Sequence, residues 1–277
     1  MPRASLIISV YNNTLFLKTV LDSVKEQTFK DFEIIISEDA ESALMETFVG
    51  NYSFENPYQH LTQKDSGWNK NKALNRAIMA AKSDYLVFID GDCVLHPQFM
   101  EQHIAHAKSG LILGGRRLKL NEKLTQLFLE DSIKPSNINR TLIFNILVLK
   151  KKGILFPEEG FYINPKGLLG FIPSARRLKR LTGCNMSFCK KAILDINGFD
   201  EDYIRPAIGE DIDLTWRFLS AGYHLYSVRN LAVEYHLYHK VNWVNQDLNS
   251  EMMKERQDKD LYRCINGIGK LSSLLKV

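Results

Sequence analysis

Residues 85–92 read Tyr85-Leu86-Val87-Phe88-Ile89-Asp90-Gly91-Asp92: five apolar positions in a row, then two carboxylates around a glycine. A run this short and this uniformly apolar fits a strand buried on both faces, as in a parallel sheet. In open α/β sheets ligands bind beyond the carboxyl ends of such strands, so the acidic tripeptide falls where a site belongs. The glycine permits a tight turn that aims both carboxylates at one hard cation, with phosphate oxygens completing its shell. The same three residues also make an ordinary solvated Asp-Gly turn, so the surroundings decide.

Upstream, β-rich runs alternate with helical patterns. Residues 6–10 form an apolar run, 15–24 an amphipathic stretch and 33–37 a second run, while Ala73, Leu74, Ala77, Ile78 and Ala81 recur at helical spacing within 68–82. This alternation predicts βαβ units and a mostly parallel sheet. Its other strand ends carry Val10-Tyr11-Asn12 and Glu38-Asp39-Ala40-Glu41-Ser42.

Downstream, from about 118 to 181, the alternation fades into longer helical patterns, Pro and Gly punctuation and a basic block. Between Arg140 and Arg180 nine basic residues (Arg140, Lys150, Lys151, Lys152, Lys166, Arg176, Arg177, Lys179, Arg180) face two acidic ones. That block reads as a solvated face, or as a contact for an anionic membrane or a phosphorylated acceptor. It carries no nucleic-acid-binding motif. Order returns at 182–189, and Gly209-Glu210-Asp211 opens a helix that runs to about 221. An apolar strand over 223–233 precedes His236 and His239. The segment 240–277, with Met252, Leu261, Ile268, Leu271 and Leu274 among charges, reads as amphipathic helix, packed on its own domain or used for a homodimer or membrane-surface contact.

The composition, 277 residues with 45% hydrophobic and 25% charged, suits one substantial core with an appended lobe. No run approaches the roughly 18 to 20 apolar residues of a membrane helix, and the opening run is too short for a signal peptide. The expectation is a cytoplasmic protein, or one peripheral to the inner face of a membrane. Four cysteines, Cys93, Cys184, Cys189 and Cys264, give neither a disulfide framework nor a zinc pattern.

Taken together the motifs resemble family 2 inverting glycosyltransferases of the GT-A fold. Ser5-Leu6-Ile7-Ile8-Ser9-Val10-Tyr11-Asn12 resembles the first strand and nucleotide loop of that family. Phe32-Glu33-Ile34-Ile35-Ile36-Ser37-Glu38-Asp39 resembles its second strand with the base-contacting acid, and Asp90-Gly91-Asp92 its metal motif. Residues 183–217, with Gly198-Phe199-Asp200 and Gly209-Glu210-Asp211, resemble the galactosyltransferase-type region that holds the catalytic acid. Where the family usually has two aspartates followed by Gly-Ser, this chain has Glu38-Asp39-Ala40-Glu41-Ser42, a less typical loop.

The resemblance implies a Rossmann-like nucleotide-binding sheet, mostly parallel and flanked by helices, over 1–239. It leaves 118–181 as an inserted acceptor- or membrane-facing segment and 240–277 as a C-terminal helical extension. Val10, Tyr11, Asn12, Asp39, Lys72, Asn75, Asp90 and Gly91 would bind a nucleotide-sugar, with a UDP-sugar the expected donor. Asp90, Asp92 and His236 would hold Mn²⁺ or Mg²⁺, with His239 the weaker candidate. Asp211, assisted by Glu210, would be the base for a glycan or lipid-linked acceptor. A helix N-terminus there would keep Asp211 ionised, and equally favours acids with no catalytic role. Asp39 has a plain alternative as a helix cap. Other classes stay open: a nucleotidyltransferase that makes nucleotide sugars, which typically opens with a Gly-rich loop in place of Val10-Tyr11-Asn12-Asn13, or an inactive UDP-sugar-binding module.

Overall fold

Residues 1–138, 154–206, 208–240 and 245–270 are described by a computed structural model, apart from the side chain of Glu210. Arg140, Lys150, Lys151 and Lys152 of the basic block, and Leu271 and Leu274 near the C-terminus, lie outside the described residues. The first half runs β1 (Ala4–Val10), α1 (Thr14–Lys25), β2 (Phe32–Glu38), α2 (Ala43–Asn51), β3 (Tyr58–Leu61), α3 (Lys70–Ala80) and β4 (Tyr85–Asp90). Then follow β5 (Cys93–Leu95), α4 (Phe99–Ala105), β6 (Leu111–Gly114), β7 (Arg117–Lys119), α5 (Glu122–Leu129) and a short α6 (Phe171–Ala175). The chain closes with β8 (Met186–Cys189), α7 (Lys190–Asp195), α8 (Asp213–Ser220), β9 (His224–Ser227), β10 (Glu234–His236) and α9 (Asp247–Asp258).

Seven strands form one sheet in the order β3-β2-β1-β4-β8-β6-β9, parallel except where β8 runs against both neighbours. The period of two along each strand builds the two cores. Leu6, Ile8, Ile34, Ile36, Val87 and Ile89 point into one layer, and Ile7, Ile35, Leu86 and Phe88 into the other. Because helices cover both faces, these strands read as unbroken apolar runs. The α/β architecture expected from the alternation is therefore the one observed.

Parallel register puts the carboxyl ends together: Val10 pairs with Glu38, and Ser9 with Asp90. The chain leaves β1 toward β2 and β3, then returns to lay β4 on the other flank of β1. The gap between β1 and β4 is thus the switch point where an open sheet holds ligands. A second sheet, β5-β10-β7, begins with the strand that follows β4 and sets Cys93 opposite His236.

Two local expectations change. Residues 223–233 are not one strand, since β9 ends at Ser227 and a turn with Asn230 in the left-handed region (φ 61°) follows before β10. His236 consequently sits on a strand of the small sheet. The helix at 209–221 begins with a π turn, Ile208–Ile212, which passes into α8, so Asp211 lies inside a helical turn and not ahead of one. The C-terminal segment packs on its own domain: Arg256 reaches Asp200 and Asp202 at 2.6 Å each, and Cys264 and Ile268 are buried. No helix among the described residues is long and apolar enough to cross a membrane.

Candidate active site

A cleft of about 990 Å³ opens at the switch point. The strand ends supply Ser9, Val10, Tyr11, Asn12, Asp39, Asp90, Gly91 and Asp92; Lys70, Arg117, Asp211, His236 and His239 close it from other elements. Gly91 is required by close approach: its amide donates to the Ser9 carbonyl at 2.7 Å, and a Cβ there would stand 2.6 Å from Val10 Cγ1. On either side of this close approach, Asp90 and Asp92 meet different partners.

Asp92 turns toward the small sheet. Its Oδ2 lies 3.3 Å from Nε2 of His236 and 3.2 Å from Nε2 of His239. The Leu237 amide donates to the Asp92 carbonyl at 2.9 Å, which fixes the approach of β10. Burial alone would push the Asp92 carboxyl up, but the hydrogen bonds from His236 and His239 carry it well below the usual carboxylate range. The hydrogen bond to Asp92 in turn raises His239, against the opposing effect of burial. The three ligand atoms lie within 4.8 Å of one another. Asp90 turns the other way, its Oδ1 2.7 Å from Lys70 Nζ and its Oδ2 3.6 Å from Arg117 Nη1. Asp90, Cys93 and Cys184 form a second close group, but those two cations already engage the Asp90 carboxylate.

Asp39 directly follows β2 and is buried. Its Oδ2 accepts from the Asn69 amide at 2.8 Å, and its Oδ1 from the Gln63 side-chain amide at 2.6 Å. Burial pushes its carboxyl up, and those two hydrogen bonds partly offset the shift. The cap of α2 falls to Ser42, whose hydroxyl accepts from the Met45 amide, so Asp39 is left to face the cleft.

Asp211 reaches the cleft from the π turn. Burial pushes its carboxyl up, against the amides of Ile212 and Gly183 and the charges of Lys70 and Arg180. A helix N-terminus alone would lower this carboxyl; desolvation within the π turn outweighs that effect. Of its proposed companion Glu210, the side chain lies outside the described residues.

Lys72 and Asn75 do not line the cleft. Lys72 is exposed on the far side of α3, and Lys70, at the start of the helix, takes the place assigned to it. Asn75 is fully buried: its amide donates to the Phe199 carbonyl at 2.8 Å and accepts from the Phe199 amide at 2.8 Å. One helical turn earlier, Asn71 donates to the carbonyls of Asp200 (2.7 Å) and Gly209 (3.0 Å). The two asparagines lash α3 to the segment that carries Asp211, and so position the base wall against the strand ends. Arg117 has no local signature as a site residue, because only pairing between β7 and β10 brings it beside Glu234 and into the cleft.

Residues 5–161, more than half of the chain, match the glycosyl transferase family 2 domain. The chain belongs to glycosyl transferase family 2. Residues 174–240 match the N-terminal domain of galactosyltransferase, as the motifs around Asp211 led us to expect. Chondroitin synthase from Escherichia coli is 25% identical over 240 residues; the match takes in 84% of this chain but 34% of that protein. The amylovoran biosynthesis glycosyltransferase AmsB of Erwinia amylovora is 25% identical over 236 residues, with 84% of this chain and 69% of AmsB covered. This family 2 chain thus spans about a third of one curated relative and about two thirds of another.

Two solved structures share the fold. Residues 1–349 of S. aureus TarS in complex with UDP-GlcNAc match with a TM-score of 0.58 at 13% identity, over 91% of this chain and 65% of that one. The mannosyltransferase PcManGT from Pyrobaculum calidifontis in complex with GDP-Man and Mn²⁺ gives 0.55 at 14% identity, over 87% and 59%. The GT-A fold implied by the family 2 motifs is the fold of the chain.

Proposed function

We propose that this chain is a metal-dependent inverting glycosyltransferase that moves a sugar from a UDP-sugar to a hydroxyl of a glycan or lipid-linked acceptor, in the making of a bacterial surface polysaccharide. The observation that carries the reading is that one cleft gathers three separate chemistries: Asp39, the group of Asp92 with His236 and His239, and Asp211. The names of the bacterial relatives and the nucleotide-sugar complexes of the structural neighbours support it.

One carboxylate oxygen and two imidazole nitrogens form a mixed O/N set that suits Mn²⁺ better than Mg²⁺. In this assignment Asp92, His236 and His239 hold the ion, and Asp90 is tied to Lys70 and Arg117. A bound divalent cation supplies positive charge against the diphosphate as it departs. The remaining work falls to the chain. Asp39 accepts from the ring N–H of the base, and Lys70 and Arg117 add positive charge along the cleft. Asp211 takes the proton from the acceptor hydroxyl as that oxygen attacks the anomeric carbon from the face opposite the leaving UDP. The bond from oxygen to carbon forms as the bond to UDP breaks, so the configuration inverts without a covalent enzyme intermediate.

A donor-hydrolysis screen over UDP-, GDP- and dTDP-sugars, with Mn²⁺ and with chelator, tests the reading. UDP release from at least one UDP-sugar is expected with Mn²⁺, and loss of that release with chelator and in Asp92→Ala. Undiminished release in Asp92→Ala with chelator present would remove the metal assignment. A protein that binds UDP but turns over no sugar nucleotide would instead be a binding module.

A further inference from the structure

Between Ile154 and Leu181 large apolar side chains face solvent. Leu168 is 99% exposed and Phe171 68%, and Leu155, Phe156 and Leu169 are each more than half exposed. Single exposed leucines are ordinary, but a concentration of this kind marks a contact surface. The local folding makes it a projection. Successive turns, with the Gly167 amide on the Asn164 carbonyl, Gly170 on Gly167 and Ile172 on Leu169, each at 3.0 Å, push Leu168 and Leu169 to a tip. Arg176 joins the base of this tip to the strip that holds Phe156: it donates to the Glu158 carbonyl at 3.5 Å and pairs with Glu159 at 2.8 Å.

The charge beside the tip is predominantly positive, with Glu158 half-buried. Lys166, Arg177, Lys179 and Arg180 are exposed. The acids of the stretch are two, and Glu159 is buried under Arg176 and Arg229. Apolar residues that can enter a headgroup layer, rimmed by cations, complement an anionic bilayer, whereas a second copy of this chain would bring the same positive charge against itself.

We infer that the 155–180 surface seats the protein on an anionic lipid bilayer, with Leu168, Leu169 and Phe171 in the headgroup layer and Lys166, Arg177 and Lys179 over acidic lipids. From this surface the chain passes directly to Thr182, Gly183 and Cys184, which line the cleft, and the Arg180 charge acts on Asp211. The seat is therefore continuous in the chain with the 182–184 side of the cleft. That it delivers a lipid-linked acceptor rests on the transferase reading above; the seat itself does not.

Flotation of the full chain with vesicles tests it, using phosphatidylcholine alone and equal parts phosphatidylcholine and phosphatidylglycerol. Binding to the anionic vesicles at low salt, and not to the neutral ones, is expected. Lys166→Glu, Arg177→Glu and Lys179→Glu combined should weaken it by at least about a hundredfold, since each surface cation contributes about 1 kcal/mol and tenfold is 1.4 kcal/mol. Leu168→Ser with Phe171→Ser should weaken it by at least about tenfold. All these side chains are exposed, so melting curves and donor hydrolysis in vesicle-free buffer should match wild type. A Leu168→Trp probe should shift its emission to the blue on anionic vesicles. No flotation at low salt, flotation undiminished by the serine pair, or an unshifted Trp emission would overturn the seat. So would a concentration-dependent dimer that the serine pair dissolves. If the seat holds while no donor is turned over, the transferase reading fails alone.

Discussion

Asp211→Asn removes a charge and keeps a shape, and the structure fixes what each loss should do. Burial pushes the Asp211 carboxyl above the ordinary aspartate value, although the amides of Ile212 and Gly183 and the charges of Lys70 and Arg180 work the other way. An asparagine oxygen can accept from the same two amides. The folded state holds the Asp211 proton more tightly than the unfolded chain does, so ionisation costs stability at pH above the folded pKa, and that cost disappears below the unfolded value. Deleting the charge should therefore leave the melting temperature at neutral pH unchanged or slightly raised. Catalysis should suffer much more. A positioned base contributes roughly 10²- to 10⁴-fold, or about 3 to 5 kcal/mol of barrier, and the variant should lose that factor in kcat. Donor binding should stay within about threefold, because Asp39 and the ligand set are untouched. The assay is initial-rate UDP release with Mn²⁺ across pH, together with UDP titration calorimetry. In wild type, activity should fall as pH drops through the raised pKa of Asp211, placing the acid limb above the usual aspartate range, and the variant should lack that limb. Turnover within tenfold of wild type in a folded variant, or an unchanged acid limb, would refute Asp211 as the base.

Three further outcomes follow from the packing around the cleft. Lys70→Ala frees Asp90 from a 2.7 Å ion pair and removes a cation from the cleft wall, so kcat/KM for the donor should fall by about 10- to 100-fold, while Lys72→Ala on the exposed face should stay within twofold; equal effects of the two would dispute the helix register. Gly91→Ala puts a Cβ 2.6 Å from Val10 Cγ1 and 3.2 Å from the Ser9 carbonyl, which should cost about 1 to 3 kcal/mol in chemical denaturation and weaken Mn²⁺ binding by misaiming Asp92. Arg217, fully buried, donates to Asp213 (3.0 Å) and to the carbonyls of Tyr262 (2.8 Å) and Gly198 (2.9 Å); Arg217→Met leaves these acceptors unmet and should cost about 3 to 5 kcal/mol, with a denaturation midpoint near wild type as the contrary result.

The amino-acid order alone made β1, β2 and β4 legible, because strands buried on both faces must be apolar at every position. It also placed Asp39 and Asp90-Gly91-Asp92 at strand ends, where parallel topology gathers ligand-binding groups. Several site residues escaped it for physical reasons. A helix advances about 100° per residue, so two positions separate Lys70 at the cleft from Lys72 in solvent, and periodicity read over α3 does not settle which one faces in. Asn75 looked like a nucleotide ligand, but its amide is consumed by Phe199. His239 joined Asp92 and His236 only through the small sheet, whose three strands are three residues long and come from distant parts of the chain. Local sequence thus suffices for β1, β2 and β4, for the acids that follow them and for the family motifs, since burial acts on each segment separately. Which carboxylate meets the histidines and which meets the lysine follows from tertiary contacts that no local pattern encodes: the Gly91 amide closing on the Ser9 carbonyl at 2.7 Å, and β10 pairing with β5 across more than a hundred residues.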